Sequence, residues 1–148
     1  MNKLLIISNS ITSLINFKKE LIQTLIKNDY NVYFSVPESL ENVQVQELTN
    51  IGAKYIQNSI KRRSINPFSE LKVIFELINI VKEVNPDIVL TLTIKPNIYG
   101  SYVAKKYKIP IIINVTGLGS GFNNTYTKIL VEKMYKYACK NAACIFFE

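Results

Sequence analysis

The chain contains no histidine, so imidazole cannot serve as general base, as metal ligand or as the relay of a Ser or Cys triad. Its two cysteines, Cys139 and Cys144, lack the four-ligand spacing of a zinc site and read as reduced thiols in a cytoplasmic protein. No metal is expected. Long apolar runs are missing too: nothing approaches the ~20 residues that span a bilayer. The start Met1-Asn2-Lys3 leads directly into Leu4-Leu5-Ile6-Ile7 without a cleavage site. The expectation is a chain that is soluble or held at a membrane surface. Glycine is scarce, five in 148 residues. A nicotinamide-binding domain needs its glycine-rich turn directly after the first strand, and Ser8-Asn9-Ser10-Ile11-Thr12-Ser13 has none. Acidic residues are depleted in one half only. Residues 88–148 carry eight lysines against Glu132 and Glu148, whereas residues 1–87 carry ten basic and nine acidic side chains, so nearly all of the net charge of +7 lies in the second half.

What is present is a core-forming composition, 48% hydrophobic and 20% charged over 148 residues, enough for one domain and not comfortably for two. Leu4–Ile7 is a short apolar run bounded by polar residues, as in a strand buried on both faces. Phe17, Leu21, Ile22, Leu25 and Ile26 then recur at helical spacing. The alternation continues with a strand at Val32–Val36, a helix from about Leu40 to Ile51 and a strand at Ala53–Ile56. A long helix from Pro67 to about Val84 follows, with Pro67 in its first turn. Next come a strand at Asp87–Thr91, a helix at Pro96–Tyr107, a strand at Pro110–Val115, a helix at Tyr126–Lys140 and a strand at Ala143–Phe147. Strict β/α alternation with short connections predicts an α/β fold: a doubly wound, Rossmann-like parallel sheet of about six strands in the order 3-2-1-4-5-6.

In that order the chain reverses direction between strands one and four, and their carboxyl ends open a ligand crevice. Ser10 and Thr12 follow strand one, Thr93, Lys95 and Asn97 follow strand four, and Gly117 and Gly119 follow strand five. Lys95 stands beside a helix N-terminus, a combination that favours an anion such as phosphate. Arg62, Arg63 and Asn66 lie in the loop after strand three. Carboxylates are sparse at this edge. Asp87 lies at the wrong end of its strand, only Glu38 and Glu148 fall near carboxyl ends, and no residue is assigned as catalytic. The domain reads as built to hold an anionic ligand rather than to transform it.

Several stretches, in order, resemble the amino-terminal half of bacterial family 4 glycosyltransferases of the capsule, O-antigen or lipid-linked glycan type. They are Lys18–Leu25 with Asn31-Val32, Arg63-Ser64-Ile65-Asn66-Pro67, Pro86-Asp87-Ile88-Val89, Thr93-Ile94-Lys95-Pro96-Asn97-Ile98-Tyr99-Gly100 and Asn114-Val115-Thr116-Gly117-Leu118-Gly119. The resemblance implies one half of a GT-B architecture, whose amino-terminal domain binds the acceptor and whose carboxy-terminal domain binds the nucleotide sugar. It implies retaining, metal-independent chemistry with no cofactor, a UDP-sugar donor and a glycan on undecaprenyl diphosphate as acceptor. Residues 1–148 would then be a single acceptor-binding domain ending near Phe147-Glu148, inactive alone, with a donor domain supplied in cis or in trans. The competing reading is a non-catalytic module that binds an anionic lipid-linked sugar or a sister glycosyltransferase.

The basic half suggests how a lipid-linked acceptor is met. Lys133, Lys136 and Lys140 share one face of a helix, with Tyr126, Tyr135 and Tyr137 nearby, and Lys105, Lys106 and Lys108 surround Tyr107. Lysine with tyrosine suits an anionic headgroup layer. The expected placement is therefore cytoplasmic and peripheral to the membrane. A homodimer could substitute for the missing half, and no nucleic-acid partner is expected because no groove-reading or base-stacking motif is present.

Overall fold

Leu5, Ile6 and Ile7 are all fully buried because β1 (Lys3–Ile7) lies inside the sheet with helices on both of its faces. The structure is a computed structural model that describes residues 2–62, 66–116 and 125–147. Along the chain, β1 is followed by α1 (Ile11–Lys27), β2 (Asn31–Val36), α2 (Val43–Asn50), β3 (Lys54–Gln57) and α3 (Pro67–Val84). Then come β4 (Ile88–Leu92), α4 (Ile94–Tyr107), β5 (Ile111–Val115), α5 (Thr125–Asn141) and β6 (Cys144–Phe147). The six strands form one sheet in the order β3-β2-β1-β4-β5-β6, every neighbouring pair parallel. This is the fold class and strand order expected from the alternation.

Successive side chains of a strand face opposite sides, and the two cores follow that alternation. Leu5, Ile7, Val89, Ile111, Ile113 and Val115 pack with α3, α4 and α5. Leu4, Ile6, Val32, Phe34, Val36, Leu90 and Leu92 pack with α1 and α2. In α3 the stripe Val73, Leu77, Ile80 and Val84 is buried. A second apolar stripe of this helix, Leu71, Ile74, Ile78 and Val81, is buried at Ile78 and Val81, but Leu71 at its start stands exposed, as do Phe68 and Phe75. At Gly100 a β-carbon would lie 2.6 Å from Thr91 Cγ2, so the missing side chain is what lets α4 lie close on β4.

Two helix starts differ from the sequence expectation, each for a local reason. Helix α2 begins at Val43 rather than near Leu40 because the Asn42 side chain caps it, accepting from the Gln44 amide at 2.8 Å. Helix α4 begins at Ile94, before Pro96 rather than at it. Proline is tolerated there because first-turn amides have no intrahelical partner to lose. Among the described residues, no helix is long and apolar enough to cross a membrane.

Candidate functional site

The crevice lies at the carboxyl edge of β1 and β4, where helices α1 and α4 begin. On the β1 side the predicted loop residues are engaged internally. Ser8 exchanges bonds with the Ser10 backbone. Ser10 Oγ caps α1 by accepting from the Ser13 amide at 3.5 Å. Thr12 Oγ1 donates to Gln44 Oε1 at 2.8 Å, tying α1 to α2. The Glu38 carboxylate reaches across from the end of β2 and accepts from the Ile11 amide at 3.0 Å. Beneath, the buried Asn58 amide donates to Ser8 O and Ser35 Oγ. The α1 N-terminus, where a dinucleotide fold seats its pyrophosphate, therefore already holds a carboxylate.

The β4 side is different. Thr93, between β4 and α4, adopts φ 75° and ψ 167° and makes no side-chain capping bond to the helix it starts. A positive φ on a β-branched residue is a strained conformation that surrounding packing must impose. Its Oγ1 is buried and has no hydrogen-bond partner among the described residues. Helix α4 has no acidic residue in its first turn.

Lys95 follows beside the helix N-terminus as expected, and there its charge is paired within the fold. Its Nζ lies 2.7 Å from Glu70 Oε1 and 2.7 Å from the Lys61 carbonyl, and the two charged side chains are only 15% and 16% exposed. The other Glu70 oxygen accepts from the Tyr99 hydroxyl at 2.6 Å. Burial, then that hydrogen bond and charge, push the Tyr99 phenol well above its ordinary range. Glu70 is thus a carboxylate at the crevice edge that the sequence reading missed, because it sought acids only at strand ends. Glu70 comes instead from the first turn of α3, which opens at the same sheet edge. Asn66 caps that helix, its Oδ1 accepting from the Phe68 amide at 3.0 Å, so its side chain is used structurally.

Asn97 is fully buried, and its Nδ2 donates to Asn114 O at 3.0 Å and Tyr135 Oη at 2.9 Å. It fastens α4 to β5 and α5 rather than reaching the crevice surface. Burial raises the Tyr135 phenol, the bond from Asn97 partly opposing it. Arg63, Gly117 and Gly119 lie outside the described residues. Lys105, Lys106, Lys108, Lys133, Lys136 and Lys140 are all exposed. Lys105 Nζ sits 4.8 Å from the centre of the Tyr137 ring, which joins the α4 and α5 lysines across one surface. The Tyr126 side chain lies outside the described ones.

Residues 4–148 match the family model described as "Glycosyl transferase 4-like". The chain belongs to the glycosyl transferase 4-like family. A curated relative in Campylobacter jejuni, an N,N'-diacetylbacillosaminyl-diphospho-undecaprenol alpha-1,3-N-acetylgalactosaminyltransferase, is 31% identical over 142 residues. The match spans 92% of this chain and 37% of that protein. Among solved structures, Acinetobacter baumannii MurG superposes with a TM-score of 0.67 at 14% identity, over 99% of this chain and 41% of the other. A UDP-N-acetylglucosamine 2-epimerase superposes with a TM-score of 0.70 at 20% identity, again over 99% and 41%. These two likenesses establish the fold, that of one Rossmann-like half of a GT-B architecture. The chain spans well under half the length of the curated relative and of both structures.

Proposed function

We propose that this glycosyl transferase 4-like domain is the acceptor-binding half of a retaining glycosyltransferase of surface polysaccharide assembly. It holds a diphosphate-linked polyprenyl glycan while a second, nucleotide-sugar-binding domain presents a UDP-sugar. The observation that carries the reading is the β4–α4 junction. A strained Thr93, whose buried hydroxyl has no partner among the described residues, opens a helix that has neither a side-chain cap nor a first-turn acid, beside the switch point between β1 and β4. A diphosphate seated there would meet the N-terminal amides and the positive end of the α4 dipole, which favour negative charge. The Lys95–Glu70 pair anchors α4 to α3 and fixes where those amides point. Support for a lipid-linked acceptor comes from the name of the C. jejuni relative.

The lysines of α4 and α5 complete the reading. Their exposed ridge starts in the middle of α5 and runs to the C-terminal end of α4, suited to the anionic headgroups of the cytoplasmic membrane face, where each lysine contributes about 1 kcal/mol. Co-sedimentation tests both parts with three vesicle types: neutral phosphatidylcholine, phosphatidylcholine with phosphatidylglycerol, and phosphatidylcholine carrying undecaprenyl-diphosphate-linked N-acetylhexosamine at matched surface charge. The expected order of retention is glycolipid above phosphatidylglycerol above neutral, with salt and the Lys133→Gln, Lys136→Gln, Lys140→Gln triple variant weakening both charged cases. Equal retention on the two charged vesicles refutes acceptor recognition, and no retention on either refutes the membrane face as well.

A further inference from the structure

An apolar groove of about 290 Å³ runs between α3, α4 and α5, walled by Ile74, Ile98, Tyr99, Tyr102, Met134 and Tyr137, with Lys133 at its rim. It is placed to continue the crevice. Ile98 and Tyr99 belong to the second turn of α4 and Tyr102 to the third, and the Tyr99 side chain that lines the groove donates its hydroxyl to Glu70, the partner of Lys95. One side chain therefore borders both the polar cluster at the crevice and the apolar channel below it. We propose that this groove seats the proximal part of a polyisoprenoid chain, the hydrocarbon of the lipid-linked acceptor, as it passes from the crevice toward the lysine ridge. The inference rests on the acceptor reading given above and adds to it a binding site for the tail.

Three observations favour a hydrocarbon chain over another occupant. The walls are aliphatic and aromatic, and the Tyr99 hydroxyl is committed to Glu70, so the groove has little to offer the backbone amides of a bound peptide. Its surroundings are cationic: α5 carries Lys128, Lys133, Lys136 and Lys140 against Glu132, which Lys128 faces at 4.0 Å, and Lys105 lies over the Tyr137 ring. That charge complements a lipid with an anionic head and a surface of such lipids. The volume also falls at the small end of the ~300–1,000 Å³ usual for ligand sites, which fits a segment of a chain whose remainder stays in the bilayer.

Calorimetric titration of the 148-residue chain with dimethylallyl diphosphate, farnesyl diphosphate and farnesol tests the inference. The long diphosphate should bind at least about tenfold tighter than the short one, since buried methylenes each add affinity. Two variants act on the groove in opposite ways, Ile74→Trp by filling it and Met134→Gln by making it polar. Both should bring the long-to-short ratio close to one without weakening the short diphosphate, with circular dichroism confirming the fold. A ratio near one in the unaltered protein overturns the inference, as does a ratio that neither variant changes. Farnesol binding as tightly as farnesyl diphosphate, with both weakened by the groove variants, would support the groove while refuting the diphosphate crevice. Concentration-dependent dimerisation abolished by the same variants would assign the groove to a second copy of the chain and refute the lipid assignment.

Discussion

Replacing Glu70 by Gln removes the charge that faces Lys95 while keeping an oxygen for Tyr99 or Lys95 to bond. The pair is close, 2.7 Å, and each side chain is about 85% buried. Breaking a buried pair by removing one partner costs about 3–5 kcal/mol, and the residual exposure lowers that to about 2–3 kcal/mol here because water screens the orphaned charge. Lys95→Met should cost a similar amount, since it strands the Glu70 carboxylate under Tyr99. The double variant leaves no orphaned charge and should cost only about 1–2 kcal/mol. The cycle therefore yields a coupling energy of about 3–4 kcal/mol. Urea unfolding followed by far-ultraviolet circular dichroism measures each corner, with unchanged m-values as the check that only the native state is altered. Single costs that simply add, to within about 0.5 kcal/mol, would refute the reasoning. The contact would then be an ordinary surface pair, and Lys95 would be available to a ligand without breaking anything.

Two further outcomes follow from packing and protonation. Gly100→Ala should destabilise the protein by about 2 kcal/mol because the new methyl meets Thr91 Cγ2 at 2.6 Å. Thr91→Ser, which deletes that methyl, should recover most of the loss in the same denaturation assay, and a lack of recovery would place the strain elsewhere. The Tyr99 phenol is raised by burial and by Glu70, so above pH ~10 the unfolded chain releases a proton that the folded chain keeps. Stability conferred by Tyr99 is thus complete below that pH and lost as pH rises further. The alkaline fall in denaturation midpoint should be shallower in Tyr99→Phe, and identical slopes would refute the assignment.

The fold was legible because its signals are local and repeated. Short apolar runs marked strands buried on both faces, Pro67 marked the first turn of α3, and the alternation with right-handed crossovers pointed to a doubly wound sheet, for which 3-2-1-4-5-6 is a common order and the one observed. The side-chain partnerships were less legible because they depend on which helices share a face. Lys95 and Glu70 are 25 residues apart and belong to different helices. They meet only because α3 and α4 lie side by side and start at the same sheet edge, so a carboxylate in one first turn finds a cation in the next. Asn97 lies in a motif that looks functional by position, yet its register on α4 turns it inward to Asn114 and Tyr135. The exposed lysines were predictable from spacing alone, since i, i+3 and i+7 share a helix face whatever the tertiary structure.

On the proposed acceptor reading, the two helix N-termini at the crevice are unequal seats for an anion, because charge is placed differently at each. At α1 the first amides already face the Glu38 carboxylate and the Ser10 hydroxyl. A phosphate arriving there must displace a negative charge that the helix dipole stabilises by about 0.3–1 kcal/mol, and must approach against it. At α4 no acid lies in the first turn and Thr93 supplies no cap, so an anion gains the dipole without breaking an internal bond. The nearby Lys95 is neutralised by Glu70, which keeps the junction ordered and leaves attraction to the amides, the Thr93 hydroxyl and the wider field of the basic half. An anion held mainly by neutral donors is selected by geometry more than by charge, which is what the proposed diphosphate site requires if it is to tell its ligand from other anionic headgroups.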